Sequence, residues 1–484
     1  MTDPNRTRLL AIVVFAVSMA ILAVTSGAPV PSAGNSSLSS PSLSIQGPTL
    51  TTQLTVDTRV VVGHYGTRFS GVDLAPTQLL GTSLTQLLTA TGIHYVRWPS
   101  GKLNDEYDIV TNVIHNPNGT TTPGRTDGQA FVSWCKENGC RAILGVPAET
   151  NDSSYAAEEV TYVEQTLHFH PAYWEIGNEP GLWTHYGVPW SQWTTSQNSG
   201  ITPENFARLV QRIAAAIHSV DPAARIIGLP GTGIGAYGEN EWIYDTVKLN
   251  GPNLSAVAIH IYPAGHLDGA TGNLTDFDQS LLAKGAPDER VPLDRAAITS
   301  ACPTCHIALI ATEYNAASVG AIGDSGTYGE FMEGFDEVPY MASEVAQGLS
   351  QNMSNLEIYN FESGFPGALV GPTGAVRPVY YLYSQVLPHL DKRAVATNFS
   401  GSLGEFFGIV STNGTSSMTL LLANANPTAN VKVDLLNSGL PLTGGGNAWR
   451  FTSAMTEPIT WSWSGDTTGY WVVPAESVLL IEVR

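Results

Sequence analysis

The chain has 484 residues, room for a large domain plus a smaller one, and 43% of them are hydrophobic, ample for a core. Only 13% are charged, and 42 acidic against 22 basic residues leave a net charge of −20. No basic run is present to neutralise phosphates, so nucleic acid is not an expected partner. A Lys-poor surface of Gly, Ser, Thr and Asn suits a protein outside the cell. It carries little charge to repel itself at low pH, which fits an acidic habitat.

Arg6 and Arg8 precede an apolar run, Leu9 to Val24, followed by small residues at Ser26-Gly27-Ala28. This is the pattern of a signal peptide over residues 1–28; the other outcome is a retained membrane anchor. Residues 29–48 are rich in Ser, Pro and Gly and read as a flexible linker. Nine Asn-x-Ser/Thr triplets occur, among them Asn118, Asn151, Asn253, Asn352 and Asn413. They agree with an exported glycoprotein, although a Ser/Thr/Asn-rich composition generates such triplets anyway. The four cysteines form two close pairs, Cys135/Cys140 and Cys302/Cys305. Two small disulfide loops are the default outside the cell; one four-thiolate zinc site is the rival. The expected location is secreted or anchored on the outer cell surface.

Leu54 to Val62 alternates as a strand and, within residues 49–65, is a candidate to join a later sheet. A barrel-forming region is expected over residues 66–390. Strands are read at Phe69–Leu74, Ile93–Trp98, Arg141–Val146, Tyr173–Glu179, Ala224–Leu229, Ala256–Tyr262, Ile307–Tyr314 and Leu356–Phe361. Helices lie between most of them, at Leu80–Thr91, Asp127–Asn138, Ser153–Leu167, from Pro203 to the Asp221-Pro222 stop, Glu241–Leu249 and Val338–Ser350, and Pro378–Leu387 follows the last strand. Thr202 before Pro203, with Phe206, Leu209, Val210, Ile213 and Ile217 on one face, is the clearest helix start. Eight such alternations favour a closed (β/α)8 TIM barrel over an open sheet. No Gly-x-Gly-x-x-Gly follows the first strand, which disfavours a dinucleotide fold. Over residues 391–484, short alternating strands with Asn-Gly and Gly-Gly-Gly turns read as an antiparallel β-sandwich.

Two strands end in a glutamate. Tyr173-Trp174-Glu175-Ile176-Gly177-Asn178-Glu179-Pro180 is the fourth, stopped by a proline that cannot donate to a ladder. Ile307-Ala308-Leu309-Ile310-Ala311-Thr312-Glu313-Tyr314-Asn315 is the seventh. Barrel chemistry sits at the C-terminal strand ends, so Glu179 and Glu313 can face each other across the mouth. A carboxyl pair there suits retaining glycoside hydrolysis, with one acid as nucleophile and the other as acid/base. Glu179 is assigned acid/base, Glu313 nucleophile, and Asn178 the sugar 2-hydroxyl. His260 and Tyr262 on the sixth strand point to one side. They are substrate-binding or nucleophile-supporting candidates, or else a core histidine and a half-buried tyrosine. Arg97 and Trp98 end the second strand. Arg97 either supports the ionised nucleophile or forms a structural ion pair; Trp98 either stacks on a sugar or packs in the core. Lys102, Asp105 and Tyr107 follow in the next loop. Trp183, His185, Trp190 and Trp193 crowd the loop after Glu179, as sugar platforms or as a packed lid.

The stretches Trp-Glu-Ile-Gly-Asn-Glu-Pro-Gly-Leu-Trp and Ala-Thr-Glu-Tyr-Asn resemble the acid/base and nucleophile motifs of clan A retaining glycoside hydrolases. Within the clan the chain looks most similar to family 79, the β-glucuronidase and heparanase family. His260-Ile261-Tyr262-Pro263, Tyr359-Asn360-Phe361-Glu362, Arg377-Pro378-Val379-Tyr380-Tyr381 and Pro474-Ala475-Glu476-Ser477-Val478 add to it. Two features depart from that family. Arg97-Trp98-Pro99-Ser100-Gly101 has Pro-Ser where family 79 usually has Gly-Gly and leans towards the family 51 arabinofuranosidases, and Gly181 replaces an expected Asp. The resemblance implies cleavage of a β-linked hexuronic acid in an oligo- or polysaccharide. It also implies substrate contacts from Tyr314 and Asn315, and a carboxylate cradle over residues 315–320. The alternatives are an arabinofuranosidase or β-xylosidase, or a non-catalytic surface glycan-binding protein. The chemistry needs neither metal nor organic cofactor.

Overall fold

A computed structural model describes residues 47–66, 69–116, 119–183, 201–233, 239–266, 272–283, 285–318, 327–401, 403–438, 445–464 and 470–484. The N-terminal segment 1–28, most of the linker, Asn118, His185, Trp190, Trp193 and residues 319–320 of the expected cradle lie outside them. Among the described residues no helix is long and apolar enough to cross a membrane.

Eight parallel strands close into a barrel: β2 (Ser70–Asp73), β3 (Tyr95–Trp98), β7 (Arg141–Val146), β8 (Tyr173–Ile176), β9 (Ile226–Pro230), β10 (Ala256–Ile261), β11 (Ala308–Tyr314) and β12 (Leu356–Ile358). They are short and buried on both faces, as strands covered by crossover helices are. The helices follow their sequence signals. The Thr202 hydroxyl accepts from the Asn205 amide to start Pro203–Val220, and its five expected apolar residues are buried. Asp127 caps Gly128–Asn138, and Gly139 ends it in the left-handed region. Helix Pro287–Ala301 is not foreshadowed, because Pro292 sits inside it and its apolar positions do not follow the helical period. A small three-stranded sheet, β4 (Tyr107–Asp108), β5 (Val113–His115) and β6 (Thr121–Pro123), fills the long loop after β3.

The strand period sorts the barrel side chains. Val96, Leu144, Trp174, Ile226, Val257 and Leu309 face the surrounding helices in the main core. Tyr95, Ile143, Tyr173, Ile227, Ala256, Ala258 and Ile310 fill the floor of the barrel. The interior is therefore plugged below, and polar chemistry is confined to the C-terminal ends.

The second region is one continuous nine-stranded sheet that curls around its own core. Its members are β1 (Thr49–His64), β13 (Arg393–Phe399), β14 (Phe406–Thr412), β15 (Met418–Asn424), β16 (Asn430–Ser438), β17 (Gly446–Thr452), β18 (Ile459–Trp463), β19 (Tyr470–Val473) and β20 (Ser477–Val483). β1 joins it between β13 and β16, antiparallel to the first and parallel to the second. Leu420, Leu422, Val431, Val433, Leu479 and Ile481 form part of the core inside the curl. The alternate residues Ile409, Leu421, Ala423, Phe451, Val478 and Leu480 join the barrel's core instead. Both cysteine pairs are disulfides, Cys135–Cys140 and Cys302–Cys305. The first ties a helix end to the start of β7; the second packs on Gly251.

Helix Glu337–Ser350 is wedged between barrel and sheet, with every residue from Glu337 to Leu349 buried. The carboxylates of Glu337 and Glu344 lack hydrogen-bond partners there. Burial pushes the Glu344 carboxyl well above the usual range, so the fold holds it neutral. A carboxyl raised on folding contributes stability below its unfolded value, and that stability drains away as pH rises towards the folded value. Glu344→Gln should therefore match the wild type near pH 5 and exceed it increasingly towards pH 9, by at most about 1.4 kcal/mol per pH unit. Urea unfolding across that range checks this; a pH-independent difference would contradict it.

Candidate active site

Above the apolar floor the same inward alternation delivers Asp73, Arg97, Glu175, His260 and Glu357. Glycines make the room: a Cβ at Gly145 would overlap the Asn104 side chain, and one at Gly71 would overlap the Glu357 carboxylate. Arg97 has no exposed surface. Its Nε donates to Glu175 Oε2 at 2.6 Å, Nη1 to Glu313 Oε1 at 2.8 Å and Asp73 Oδ2 at 3.1 Å, and Nη2 to Asn178 Oδ1 at 2.7 Å. A buried guanidinium is tolerable only when paired in this way. Burial opposes its charge, and Glu175, Asp73 and Glu313 overcome that opposition. Burial pushes the Asp73 and Glu357 carboxyls upward against the pull of Arg97.

Glu313 reaches the mouth through an irregularity in β11. Ile259 pairs with Ala311, but the next residue, His260, pairs with Glu313. The extra residue is a β-bulge, which re-aims side chains at barrel rims. Thr312 and Glu313 both then meet His260: the Thr312 hydroxyl lies 3.3 Å from Nε2, and Glu313 Oε2 lies 3.4 Å from Nδ1. The Tyr262 hydroxyl donates to Glu313 Oε2 at 2.8 Å.

Glu179 stands in the left-handed region, φ 42° and ψ 60°, as Pro180 begins a 3-10 turn. That backbone is uncommon for a residue with a Cβ and must be held by its surroundings. The Glu179 amide donates to the Pro230 carbonyl at 3.3 Å, and the Gly181 amide to the Thr232 carbonyl at 2.9 Å. Gly231 and Gly233 have positive φ and press on the His260 ring and on Glu179, where side chains would collide. His260 Nδ1 lies 2.9 Å from Glu179 Oε1. Carboxylate oxygens of Glu179 and Glu313 and a ring nitrogen of His260 all lie within 4.8 Å of one another. Burial resists protonation of His260, yet Glu313 and Glu179 outweigh it and raise its pKa. Burial, then Glu313, pushes the Tyr262 phenol well up, so it remains a donor. These three groups are sized for a metal ion as well, but Arg97 and the favoured imidazolium both oppose a cation there.

A second buried acid braces the loops. Asp105 Oδ1 accepts from the Ala148 amide at 2.8 Å and the Glu149 amide at 3.0 Å; Oδ2 accepts from the Asn178 amide at 2.8 Å and Trp183 Nε1 at 3.2 Å. Burial pushes Asp105 up to about 6 against those four donors. The loops after β3, β7 and β8 are thereby fastened together beside Glu179.

The structure thus gathers Glu179, Glu313, Asn178, His260, Tyr262 and Arg97 at one mouth. It places three expected substrate contacts elsewhere. Trp98 has no exposed surface and stacks on Phe131 at 4.5 Å, because it points outward from β3. The Tyr314 hydroxyl bonds that of Tyr383 in the outer core, one residue out of phase with Glu313. Asn315 is consumed structurally: Nδ2 donates to the Tyr359 and Gly367 carbonyls, and Oδ1 accepts from the Ala316 amide. Trp183 is a buried strut, donating also to the Asn178 carbonyl at 2.8 Å. Lys102 pairs with Glu106 and Tyr107 with Asn112. Asp73, Asn104, Glu175 and Tyr359 are site residues the sequence reading did not single out. The Tyr359 ring lies against Gly101 beside Glu313. The available signal was the inward phase of Glu175 and Arg97.

No protein-family model and no curated protein matches the sequence. Solved structures do match. An α-L-arabinofuranosidase from Thermotoga maritima, in complex with arabinose, aligns over 89% of this chain and 99% of its own at 14% identity and a TM-score of 0.70. A family 51 α-L-arabinofuranosidase from Bifidobacterium longum aligns over 89% and 98% at 16% identity and 0.68. CelM2, a bifunctional glucanase-xylanase from a metagenome library, aligns over 91% and 100% at 13% identity and 0.67. This chain has their fold. The family 79 placement read from the motifs is not among these likenesses.

Asp105→Asn keeps the shape but turns an acceptor into a donor facing N–H groups. It should destabilise the fold by about 2–4 kcal/mol, the scale of lost charge-assisted bonds and unsatisfied donors. Lys102→Ala, a half-exposed change on the same turn, should stay within about 0.5 kcal/mol. Equal effects in urea unfolding would remove Asp105 from its bracing role.

Proposed function

We propose that this chain is a retaining glycoside hydrolase with Glu313 as nucleophile and Glu179 as acid/base. The observation that carries it is the pair itself, with oxygens within 4.8 Å of each other and unlike surroundings. Retaining enzymes hold their carboxyls about 5–5.5 Å apart, inverting ones about 6.5–9.5 Å. Glu313 receives hydrogen bonds from Arg97 and Tyr262, which aim its carboxylate. Glu179 is the more accessible of the two, and His260 Nδ1 lies 2.9 Å from its Oε1.

The roles follow from these contacts. Glu313 attacks the anomeric carbon while Glu179 delivers a proton to the departing oxygen. His260, between both acids, relieves their repulsion. Once Glu313 becomes an ester its charge is gone, and the support for a protonated His260 weakens. Glu179 then takes a proton from water, which opens the ester. The Asn178 amide nitrogen is buried with no hydrogen-bond partner. It is a donor for a sugar hydroxyl, the one next to the reacting carbon.

A neutral pentoside or hexoside fits better than the hexuronic acid suggested by the motifs. Among the described residues Arg97 is buried and ion-paired and Lys102 is paired, while the two carboxyls of the pair line the mouth. A uronate there would meet two carboxyls and no unpaired cation among the described residues. Solved likenesses named as arabinofuranosidases and a xyloglucanase agree with a neutral sugar. We also propose action outside the cell, on the strength of the two disulfides.

A panel of nitrophenyl α-L-arabinofuranoside, β-xyloside, β-glucoside and β-glucuronide tests this directly. Release from a neutral glycoside is expected, and Glu313→Gln should lower kcat by at least about 10³-fold, the scale of a lost nucleophile. Glu179→Gln should spare substrates with good leaving groups more than poor ones. Preference for the glucuronide would overturn the sugar; glycan binding without any release would overturn the enzyme.

A further inference from the structure

A second polar cavity, of about 220 Å³, opens on the sheet domain away from Glu179 and Glu313. It is lined by His389, Asp391, Ser417, Thr419, Asn447, Trp449 and Glu482. Its origin is a break in the sheet's pattern. The face turned to the barrel is apolar across β17, β20 and β15: Trp449 pairs with Leu480, and Leu480 with Leu421, all in the barrel's core cluster. One row further on, the same face becomes polar. Glu482 pairs with Thr419, and Thr419 with Ser411; Asn447 Nδ2 donates to Glu482 Oε2 at 3.1 Å. The segment Leu387–Asp391, leaving the barrel, forms the opposite wall, and the Asp391 amide donates to the Thr419 hydroxyl at 2.8 Å.

We propose that this cavity is a second, non-catalytic sugar site, taking one ring of a neutral saccharide. Three features support it. The exposed His389 ring lies on Trp449, with centroids 4.1 Å apart and planes 20° from parallel, which leaves an aromatic shelf at the rim. Sugar faces pack on such shelves while carboxylates, amides and hydroxyls take the ring hydroxyls, and this cavity offers two carboxylates, one amide and two hydroxyls. The volume is below the roughly 300–1,000 Å³ of pockets for drug-sized ligands, so a single ring is the fitting unit. A metal ion fits less well. Among the described residues two groups have His, Asp or Glu ligand atoms within 4.8 Å of one another, and neither is here. Arg484 already bonds both oxygens of Glu482, holding that carboxylate in place as an acceptor.

The test uses the full chain carrying Glu313→Gln, labelled with 5-fluorotryptophan, with the Trp449 resonance assigned by Trp449→Phe. Methyl α-L-arabinofuranoside, methyl β-xyloside and methyl β-glucoside are titrated separately and followed by ¹⁹F NMR. A saturable shift of the Trp449 resonance with at least one of them is expected. His389→Ala and Asn447→Ala, both on the rim, should weaken it at least tenfold. In the Glu313 background the same changes should leave nitrophenyl glycoside turnover unaltered. No shift up to the solubility of each sugar, or a shift indifferent to both substitutions, overturns the site. Because the readout is binding at Trp449, it succeeds or fails independently of turnover at Glu313.

Discussion

The site is organised by one buried guanidinium. Arg97 touches four elements at once: Asp73 at the end of β2, Glu175 within β8, Asn178 in the turn after β8, and Glu313 on β11. It sits where water cannot reach, so its charge is stable only while those acceptors stay in place. The acceptors in turn are excess carboxylate that would repel one another without it. The mouth is therefore set by electrostatic closure across the barrel, in a medium where each interaction is stronger than in water. The nucleophile assigned to Glu313 inherits its position from the same contact.

Around that centre the backbone supplies what side chains cannot. A bulge at Thr312 turns Glu313 towards His260. Glycines at 231 and 233 permit the β9 loop to lean on His260 and on Glu179, whose own left-handed backbone is fixed by neighbouring carbonyls. Asp105 fastens three loops with one carboxylate. Each device acts locally, yet all bear on the relative position of two acids that lie more than a hundred residues apart in the chain.

The barrel was legible because its signals are local. Proline and glycine stops follow short apolar strands, and the helix Pro203–Val220 carries its cap, its proline and its apolar face in plain order. Counting strands was enough to put Glu179 and Glu313 at the fourth and seventh ends. For Arg97 the sequence leaves both a place beside the nucleophile and a buried ion pair open, and the structure joins the two. Tyr314 and Asn315 adjoin a motif residue in sequence but not the mouth in space, and Trp98 takes the core place that was one of its two readings. In a strand, the neighbour of an inward residue points outward, and Trp98 and Tyr314 do so. Asp105 and Tyr359 lie beyond strand ends, where no period fixes direction. The sheet was readable as alternating strands but not as one curled nine-stranded surface, since pairing β1 with β13 and β16 spans more than 300 residues. The cavity at His389 arises from that long-range register and has no local motif at all.

The central claim is that Glu313 and Glu179 act on one sugar ring from opposite sides in two displacements. The anomeric configuration of the first-formed product, read by ¹H NMR within the first turnovers before mutarotation, tests it most directly. Two inversions at one carbon give a product with the configuration of the substrate, and that is the expected result. A first product of inverted configuration would mean that water, not Glu313, attacks the sugar, and the account of the pair would be wrong.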